Sequence, residues 1–137
     1  MSLSNSTKRQ FLLAVQAMAD SAVHFNSKFA ISPINTEDDG TALLRLLDHL
    51  SILVEETGEY AKSLNKGKLN QAIYDLADVL YVTLVGLDLL GVDGTAMIRM
   101  VTMANDMKSL QTHEIGPSHK LVPKNTDITT KGSDVSL

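Results

Sequence analysis

The sequence predicts an all-α protein: a bundle of four helices followed by an irregular C-terminal tail. Leucine, methionine and alanine supply most of its apolar residues, and these favour helix over strand. Aromatic residues make up only 4%, and only three prolines and eight glycines interrupt the chain. Apolar residues also recur at three- and four-residue spacing, which is typical of helices. A chain of 137 residues is long enough for one domain with a sizeable core.

This periodicity places the helices at about residues 8–28, 42–65, 69–90 and 95–110. A loop, ISPINTEDDG (31–40), separates the first two helices. Thr41 is the predicted N-terminal cap of the second helix, and Gly67 suits a left-handed residue after its end. Residues 1–112 are therefore predicted to form one helical domain. The polar remainder, 113–137, is predicted to be a tail that docks on the bundle or on a partner subunit.

The third helix contains the most apolar segment of the chain, LADVLYVTLVGLDLLGV (76–92). It is shorter than the roughly 20 residues of a membrane span and contains Asp78 and Asp88, so we interpret it as a core helix. Its apolar residues surround the helix axis, which indicates burial on all sides. Four helices of this length cover such a helix poorly, so the sequence predicts a homodimer that packs two of them together.

Composition restricts the classes of partner and compartment. The formal net charge of −4 does not favour a general nucleic-acid binder. The absence of cysteine excludes disulfides, thiolate zinc sites and cysteine nucleophiles. The first ten residues, MSLSNSTKRQ, lack the apolar core of a signal peptide. We therefore expect a cytoplasmic protein without a membrane anchor.

Five acidic residues are predicted to meet at one level of the bundle. In EETGE on the second helix, Glu55, Glu56 and Glu59 project into one sector of roughly 100°. In YDLAD on the third helix, Asp75 and Asp78 lie one turn apart. The short connection makes the two helices antiparallel neighbours, so both acidic groups fall at similar distances from the turn.

EETGE alone favours a solvated helix face, and the aspartates change that interpretation. Asp78 lies in an apolar segment, where an unpaired carboxylate is very costly. A lysine, a hydroxyl or a helix cap can satisfy one such aspartate, whereas two aspartates facing three glutamates are better explained by a metal ion. Because all the ligands are hard oxygens, the pattern indicates Mg²⁺, with Mn²⁺ as the alternative. Mg²⁺ in such sites commonly binds substrate phosphates, so a phosphoryl or nucleotidyl substrate is the natural inference.

The combination of EETGE and DLAD resembles the EExxE…ExxD signature of the MazG-like all-α nucleoside triphosphate pyrophosphatases. The resemblance covers about residues 20–112. It includes HFNSKF in the first helix, the core RLLDHLSILVEETGEYAKSLNKGKLNQAIYDLADVLYVTLVGLDLLGVD, and VTMANDMKSL in the fourth helix. The branch that contains phosphoribosyl-ATP pyrophosphohydrolases and dimeric dUTPases is the most similar. The chain departs from the signature at Asp75, where the family has glutamate. An aspartate is one methylene shorter, so its contact with a metal is expected to pass through water.

The resemblance implies a four-helix MazG-like bundle and Mg²⁺-dependent cleavage between the α- and β-phosphates, which releases a nucleoside monophosphate and pyrophosphate. Glu55, Glu56, Glu59 and Asp78 would hold the metal, with Asp75 assisting. Glu56, which is displaced from the line through the other two glutamates, is the residue we assign as general base. The family also implies homodimers or dimers of dimers.

Further residues are candidates for binding the substrate. Asn105 and Lys108 share a face of the fourth helix and would contact phosphate or sugar; the alternative is a polar helix surface. Lys120 and Lys124 in the tail would close over phosphates, although lysines at such positions are more often solvated. His24 would contact the base, with a packing or surface role as the alternative.

Three hypotheses follow. The first is a pyrophosphohydrolase acting on nucleoside or deoxynucleoside triphosphates, and the second is a phosphoribosyl-ATP pyrophosphohydrolase. The third is a non-catalytic helical dimer that binds nucleotide or metal. The sequence does not name the base.

Overall fold

The protein is described from a computed structural model, which covers residues 2–125. The helices are α1 (Asn5–Lys28), α2 (Asp39–Asn65), α3 (Leu69–Leu89) and α4 (Val92–Asp106). Two short strands follow, β1 (His113–Ile115) and β2 (Leu121–Pro123), separated by a 3₁₀ turn. The predicted all-α fold with four helices is confirmed.

The chain divides into two compact units, Met1–Ile98 and Arg99–Leu137. In the first unit, α3 packs against both α2 and α1. The predicted domain of residues 1–112 and the predicted docking of the tail remain predictions, and residues 126–137 lie outside the described part of the chain.

The ends of α2 are defined by one acidic side chain and one glycine. Asp38 is the N-terminal cap: its Oδ1 accepts a hydrogen bond from the Thr41 backbone N–H at 3.2 Å, and its Oδ2 accepts one from Thr41 Oγ1 at 2.9 Å. The prediction of Thr41 as the cap was therefore wrong. A carboxylate at a helix N-terminus gains from both the free N–H groups and the helix dipole. Gly67 has φ +66°, as predicted for the residue that follows the end of this helix.

The first unit buries few large side chains. Its core cluster consists of Ile34, Ala42 and Leu89, and no large side chain among residues 2–125 is completely buried. Many leucine side chains of α2 and α3 are exposed, including those of Leu43, Leu47, Leu50, Leu76 and Leu80. The apolar surface of α3 is therefore only partly covered by α1 and α2. No helix within residues 2–125 is both long and apolar enough to cross a membrane.

The second unit contains a hairpin that the sequence did not indicate. Strands β1 and β2 pair antiparallel, with Glu114 opposite Val122. The Gly116 N–H donates to the Lys120 carbonyl at 2.7 Å and closes the turn. Within this turn Ser118 and His119 have φ values of +58° and +60°. Both are in the left-handed region, which is unfavourable for residues that carry a Cβ atom.

Replacing His119 with glycine is expected to stabilise the hairpin by about 1 kcal/mol, because glycine adopts a positive φ without the steric cost. The measurement is hydrogen exchange of the Gly116 amide, which should become slower. His113→Gly in β1 is the matched control and should make the exchange faster, because His113 is not in the left-handed region. Equal or faster exchange in His119→Gly would contradict the strain at this position.

Candidate active site

The acidic residues of α2 and α3 come together around Glu56. Its pKa is raised from the ordinary glutamate value, first by partial burial and then by repulsion from Asp78, Glu55, Asp75 and Glu59. Repulsion of this kind requires that the four carboxylates lie near Glu56. The charges of these four carboxylates therefore act on Glu56, and the predicted meeting of five acids at one level of the bundle stays a prediction.

Asp75 is the buried member of this acidic cluster, and it is held by two hydrogen bonds. Only 6% of the residue is exposed. Ser63 Oγ donates to its Oδ2 at 2.5 Å, and Gln71 Nε2 donates to its Oδ1 at 2.8 Å. The bonds from Ser63 and Gln71 lower the pKa of Asp75. The sequence drew attention to Asp78 as the acid in apolar surroundings, but Asp78 is half-buried and Asp75 is the more enclosed.

Ser63→Ala is expected to lower the midpoint of thermal unfolding at pH 7 by several degrees. Because the pKa of Asp75 is lowered by folding, its contribution to stability is present above the unfolded pKa of about 3.9 and is lost as the pH falls through the folded value. The difference between wild type and variant should therefore shrink towards pH 3. Thermal unfolding across this pH range is the measurement. Ser51→Ala, an exposed position on the same helix, is the control; a pH-independent difference for Ser63→Ala would contradict the linkage to Asp75.

The donor set fits a hard divalent cation, because all five side chains offer carboxylate oxygens. Glu56 provides the structural test: partial burial and then repulsion from four like charges raise its pKa, and a bound cation would offset that repulsion. Within residues 2–125, no three acidic or histidine side chains are arranged as ready ligands of one ion. Like-charged carboxylates repel one another, so rotation of exposed side chains such as Glu55 and Glu59 is needed to close a ligand shell. Glu59 also lies 3.9 Å from Lys62 in an exposed ion pair.

The substrate-binding candidates fall in both units. His24 is exposed on α1 in the first unit. In the second unit, Lys108 Nζ donates to Asn105 Oδ1 at 2.8 Å. The prediction that both residues lie on the fourth helix was wrong for Lys108, because α4 ends at Asp106. Lys124 Nζ donates to the Leu110 carbonyl at 2.5 Å, and Lys120 is exposed beside the hairpin turn. Their proposed contacts with substrate remain predictions.

Two other polar residues have partners within the chain. The Arg45 guanidinium donates to the Ser32 carbonyl at 2.7 Å. Asn26, which is 5% exposed, donates to Asp88 Oδ2 at 2.9 Å and to the Val85 carbonyl at 3.0 Å. Asp88 thus bonds to α1 of its own chain.

Sequence reasoning missed an apolar cavity between α1, α2 and α3. Its volume is about 260 Å³, and its lining includes Phe25, Ile52, Tyr81 and Val85. His49 lies at its edge, with Nε2 2.8 Å from the Val82 carbonyl oxygen. The available signal was DHL (48–50) on α2, two polar residues one to two turns before the glutamates.

The helical bundle and its acidic cluster define a class of all-α hydrolases that cleave phosphoanhydrides. A model of the family described as phosphoribosyl-ATP pyrophosphohydrolase matches residues 33–105, more than half of the chain. The chain belongs to this family, within the MazG-like all-α nucleoside triphosphate pyrophosphatase superfamily, and is a pyrophosphohydrolase acting on acid anhydrides. Searches of curated proteins and of solved structures found no significant match.

Proposed function

We propose that this protein is a Mg²⁺-dependent pyrophosphohydrolase of nucleoside or deoxynucleoside triphosphates. It would cleave the bond between the α-phosphorus and the oxygen that bridges to the β-phosphate, with water as the second substrate. The products would be a nucleoside monophosphate and pyrophosphate. The observation that carries the proposal is the crowding of four carboxylates around Glu56, in a chain of the pyrophosphohydrolase family.

The roles of the side chains follow from their surroundings. Glu55, Glu56, Glu59 and Asp78 would hold Mg²⁺, or Mn²⁺ in its place. The bound metal would neutralise phosphate charge and lower the pKa of a water molecule. Glu56 would take the proton from the attacking water, and its raised pKa makes the carboxylate a better proton acceptor near neutral pH. Asp75 has donors on both oxygens, so it is proposed to orient the cluster through Ser63 and Gln71.

Asn105, Lys108, Lys120, Lys124 and His24 belong to the same proposal as substrate-binding residues. The lysines would neutralise phosphate charge, and Asn105 and His24 would contact sugar or base. We also propose a cytoplasmic location, because nucleoside triphosphates are made and used in the cytoplasm.

A second candidate is phosphoribosyl-ATP, which the description of the matched family names. Its hydrolysis at the same bond would use the same carboxylates, so the acidic cluster supports both substrates equally. Direct comparison of phosphoribosyl-ATP with the nucleoside triphosphates at one enzyme concentration separates them.

We also infer that the active form is a homodimer or a dimer of dimers. The exposed leucines of α2 and α3 leave apolar side chains in contact with water, and extended apolar patches on a protein surface commonly mark interaction sites. A second copy that pairs through this surface would cover it, and closed symmetric pairs are the commonest arrangement. Light scattering at micromolar concentration should give at least twice the 14.9 kDa chain mass. A monomeric mass would contradict the inference.

The test of the proposed function is product analysis with each triphosphate and Mg²⁺. We expect pyrophosphate and the monophosphate in equal amounts. Release of orthophosphate alone would exclude cleavage between the α- and β-phosphates. Absence of any product with all nucleotides and phosphoribosyl-ATP would favour the third hypothesis, a non-catalytic helical dimer.

A further inference from the structure

The apolar cavity between α1, α2 and α3 is large enough for only part of a small-molecule ligand. Its volume of about 260 Å³ is below the roughly 300–1,000 Å³ of pockets that enclose a whole small molecule. Aromatic side chains contribute to its wall: Phe25 and Tyr81 meet edge to face, with ring centroids 6.0 Å apart. A flat aromatic ring is therefore a better occupant than a sugar or a phosphate group.

This cavity lies next to the acidic cluster. Ile52 in its wall precedes Glu56 by four residues on α2, and Val82 follows Asp78 by four residues on α3. Residues four apart occupy adjacent turns of one helix face, separated by about 5 Å. A nucleotide with its phosphates at the carboxylates would therefore have its base close to this cavity.

The contacts of His49 determine which of its ring nitrogens carries a proton. Its Nε2 lies 2.8 Å from the Val82 carbonyl oxygen. A carbonyl oxygen only accepts hydrogen bonds, so Nε2 must carry the hydrogen. In the neutral ring, Nδ1 is then a hydrogen-bond acceptor.

Gly86 allows the His49 ring to lie directly against α3. A Cβ atom at position 86 would be 2.5 Å from both Nε2 and Cε1 of the ring, closer than atoms can approach. Nε2 and Cε1 therefore lie against the backbone of α3, and Nδ1 is the ring nitrogen that the bond to Val82 does not use. Asp48 also lines the cavity, and its carboxylate is a second acceptor there.

We propose that the cavity holds the base of the substrate, and that His49 Nδ1 accepts a hydrogen bond from an exocyclic amino group on that base. The proposal rests on the proposed function and names its substrate class: nucleotides of adenine or cytosine, in preference to those with an oxo group at the same position. His49 is a specificity-determining residue in this arrangement. An oxo group would set two acceptors against each other and leave Nδ1 without a donor.

The test compares pairs of substrates that differ at this group: ATP with ITP, and CTP with UTP. Wild type should prefer the amino-bearing member of at least one pair by about tenfold in kcat/KM. Binding of the uncleavable α,β-methylene analogues of the same nucleotides, measured by calorimetry, should show the same preference. This second readout does not depend on turnover.

Two variants at one position separate a specificity role from a packing role. The amide of His49→Gln can replace Nε2 and keep the bond to the Val82 carbonyl, but it leaves no acceptor at the Nδ1 position. The amide oxygen of His49→Asn can replace Nδ1, but the bond to Val82 is lost. We expect His49→Gln to lose the preference for the amino group and His49→Asn to keep it, with thermal unfolding confirming that both fold.

Three results would overturn the proposal. Wild type could have equal kcat/KM for both members of each pair, or a higher kcat/KM for the oxo member. His49→Gln could keep the wild-type preference for the amino member. The same measurements test the proposed function separately. Pyrophosphate release without an amino preference leaves the pyrophosphohydrolase intact and removes the role of His49. An amino preference in analogue binding without pyrophosphate release keeps the role of His49 and removes the proposed function.

Discussion

Glu56→Gln is expected to reduce pyrophosphate release by roughly a thousandfold and at the same time to make the metal-free protein more stable. Glutamine keeps the shape of the side chain but cannot take a proton from water. It also removes the charge that four neighbouring carboxylates repel. A stability gain together with a loss of activity is typical of functional sites, because the close like charges that activity requires lower the stability of the fold.

The direction of the stability change follows from the raised pKa of Glu56. A carboxyl whose pKa is raised by folding contributes stability below its unfolded value of 4.5, and this contribution is lost as the pH rises through the folded value. At pH 7 the ionised Glu56 therefore opposes folding, and the neutral glutamine does not. After allowance for solvent screening we expect a gain of about 0.5 kcal/mol, or about 2 °C in the unfolding midpoint.

Differential scanning fluorimetry at pH 7 without divalent cations measures the stability change, and a pyrophosphate assay with Mg²⁺ measures the activity. Glu37→Gln is the matched control, because it removes the same charge from an exposed loop position outside the acidic cluster. It should leave both quantities unchanged. Full activity in Glu56→Gln would show that Glu56 is not the general base. A lower unfolding midpoint in this variant would contradict the electrostatic repulsion around Glu56.

Asp78→Asn is expected to weaken Mg²⁺ binding by more than about tenfold and to lower turnover by roughly a thousandfold. Asp78 is the first of the four charges whose repulsion, after partial burial, raises the pKa of Glu56. Asparagine has nearly the same size as aspartate and still forms hydrogen bonds, but it lacks the negative charge that binds a divalent cation. Treatment of wild type with a chelator should abolish activity, and added Mg²⁺ should restore it.

Calorimetric titration with Mg²⁺ in the absence of nucleotide measures binding independently of turnover. Asp20→Asn, an exposed aspartate on α1, is the control for the loss of one negative charge. If Asp78→Asn binds Mg²⁺ and turns over substrate as wild type does, the metal site does not include Asp78. If wild type retains full activity in excess chelator, the metal dependence itself is wrong.

Local chemistry made the helices predictable. Few helix-breaking residues and a clear apolar spacing gave boundaries within four residues of those observed. The turn after α2 was also predictable, because Gly67 is free to adopt a positive φ. The hairpin of the second unit was not, since its strands have three residues each and its turn places Ser118 and His119 in a region that sequence patterns associate with glycine.

The candidate site shows the same division. The spacing of EETGE and YDLAD by itself predicted that five acids share one level of α2 and α3, because helix periodicity and a short connection leave little freedom. Only the tertiary structure decided that Asp75 is the enclosed acid and is held by Ser63 and Gln71. Burial depends on how the helices rotate against each other, which periodicity does not specify.

The sequence by itself also determined the class of chemistry, since the type and spacing of the acidic side chains indicate a hard cation and the motif resembles one superfamily of pyrophosphohydrolases. The cavity beside His49 depended on tertiary structure. Its lining combines side chains of α1, α2 and α3, and His49 lies against α3 because Gly86 has no side chain to hold the histidine away. Such a space is formed by residues from three helices that are distant in sequence, and no local pattern records it.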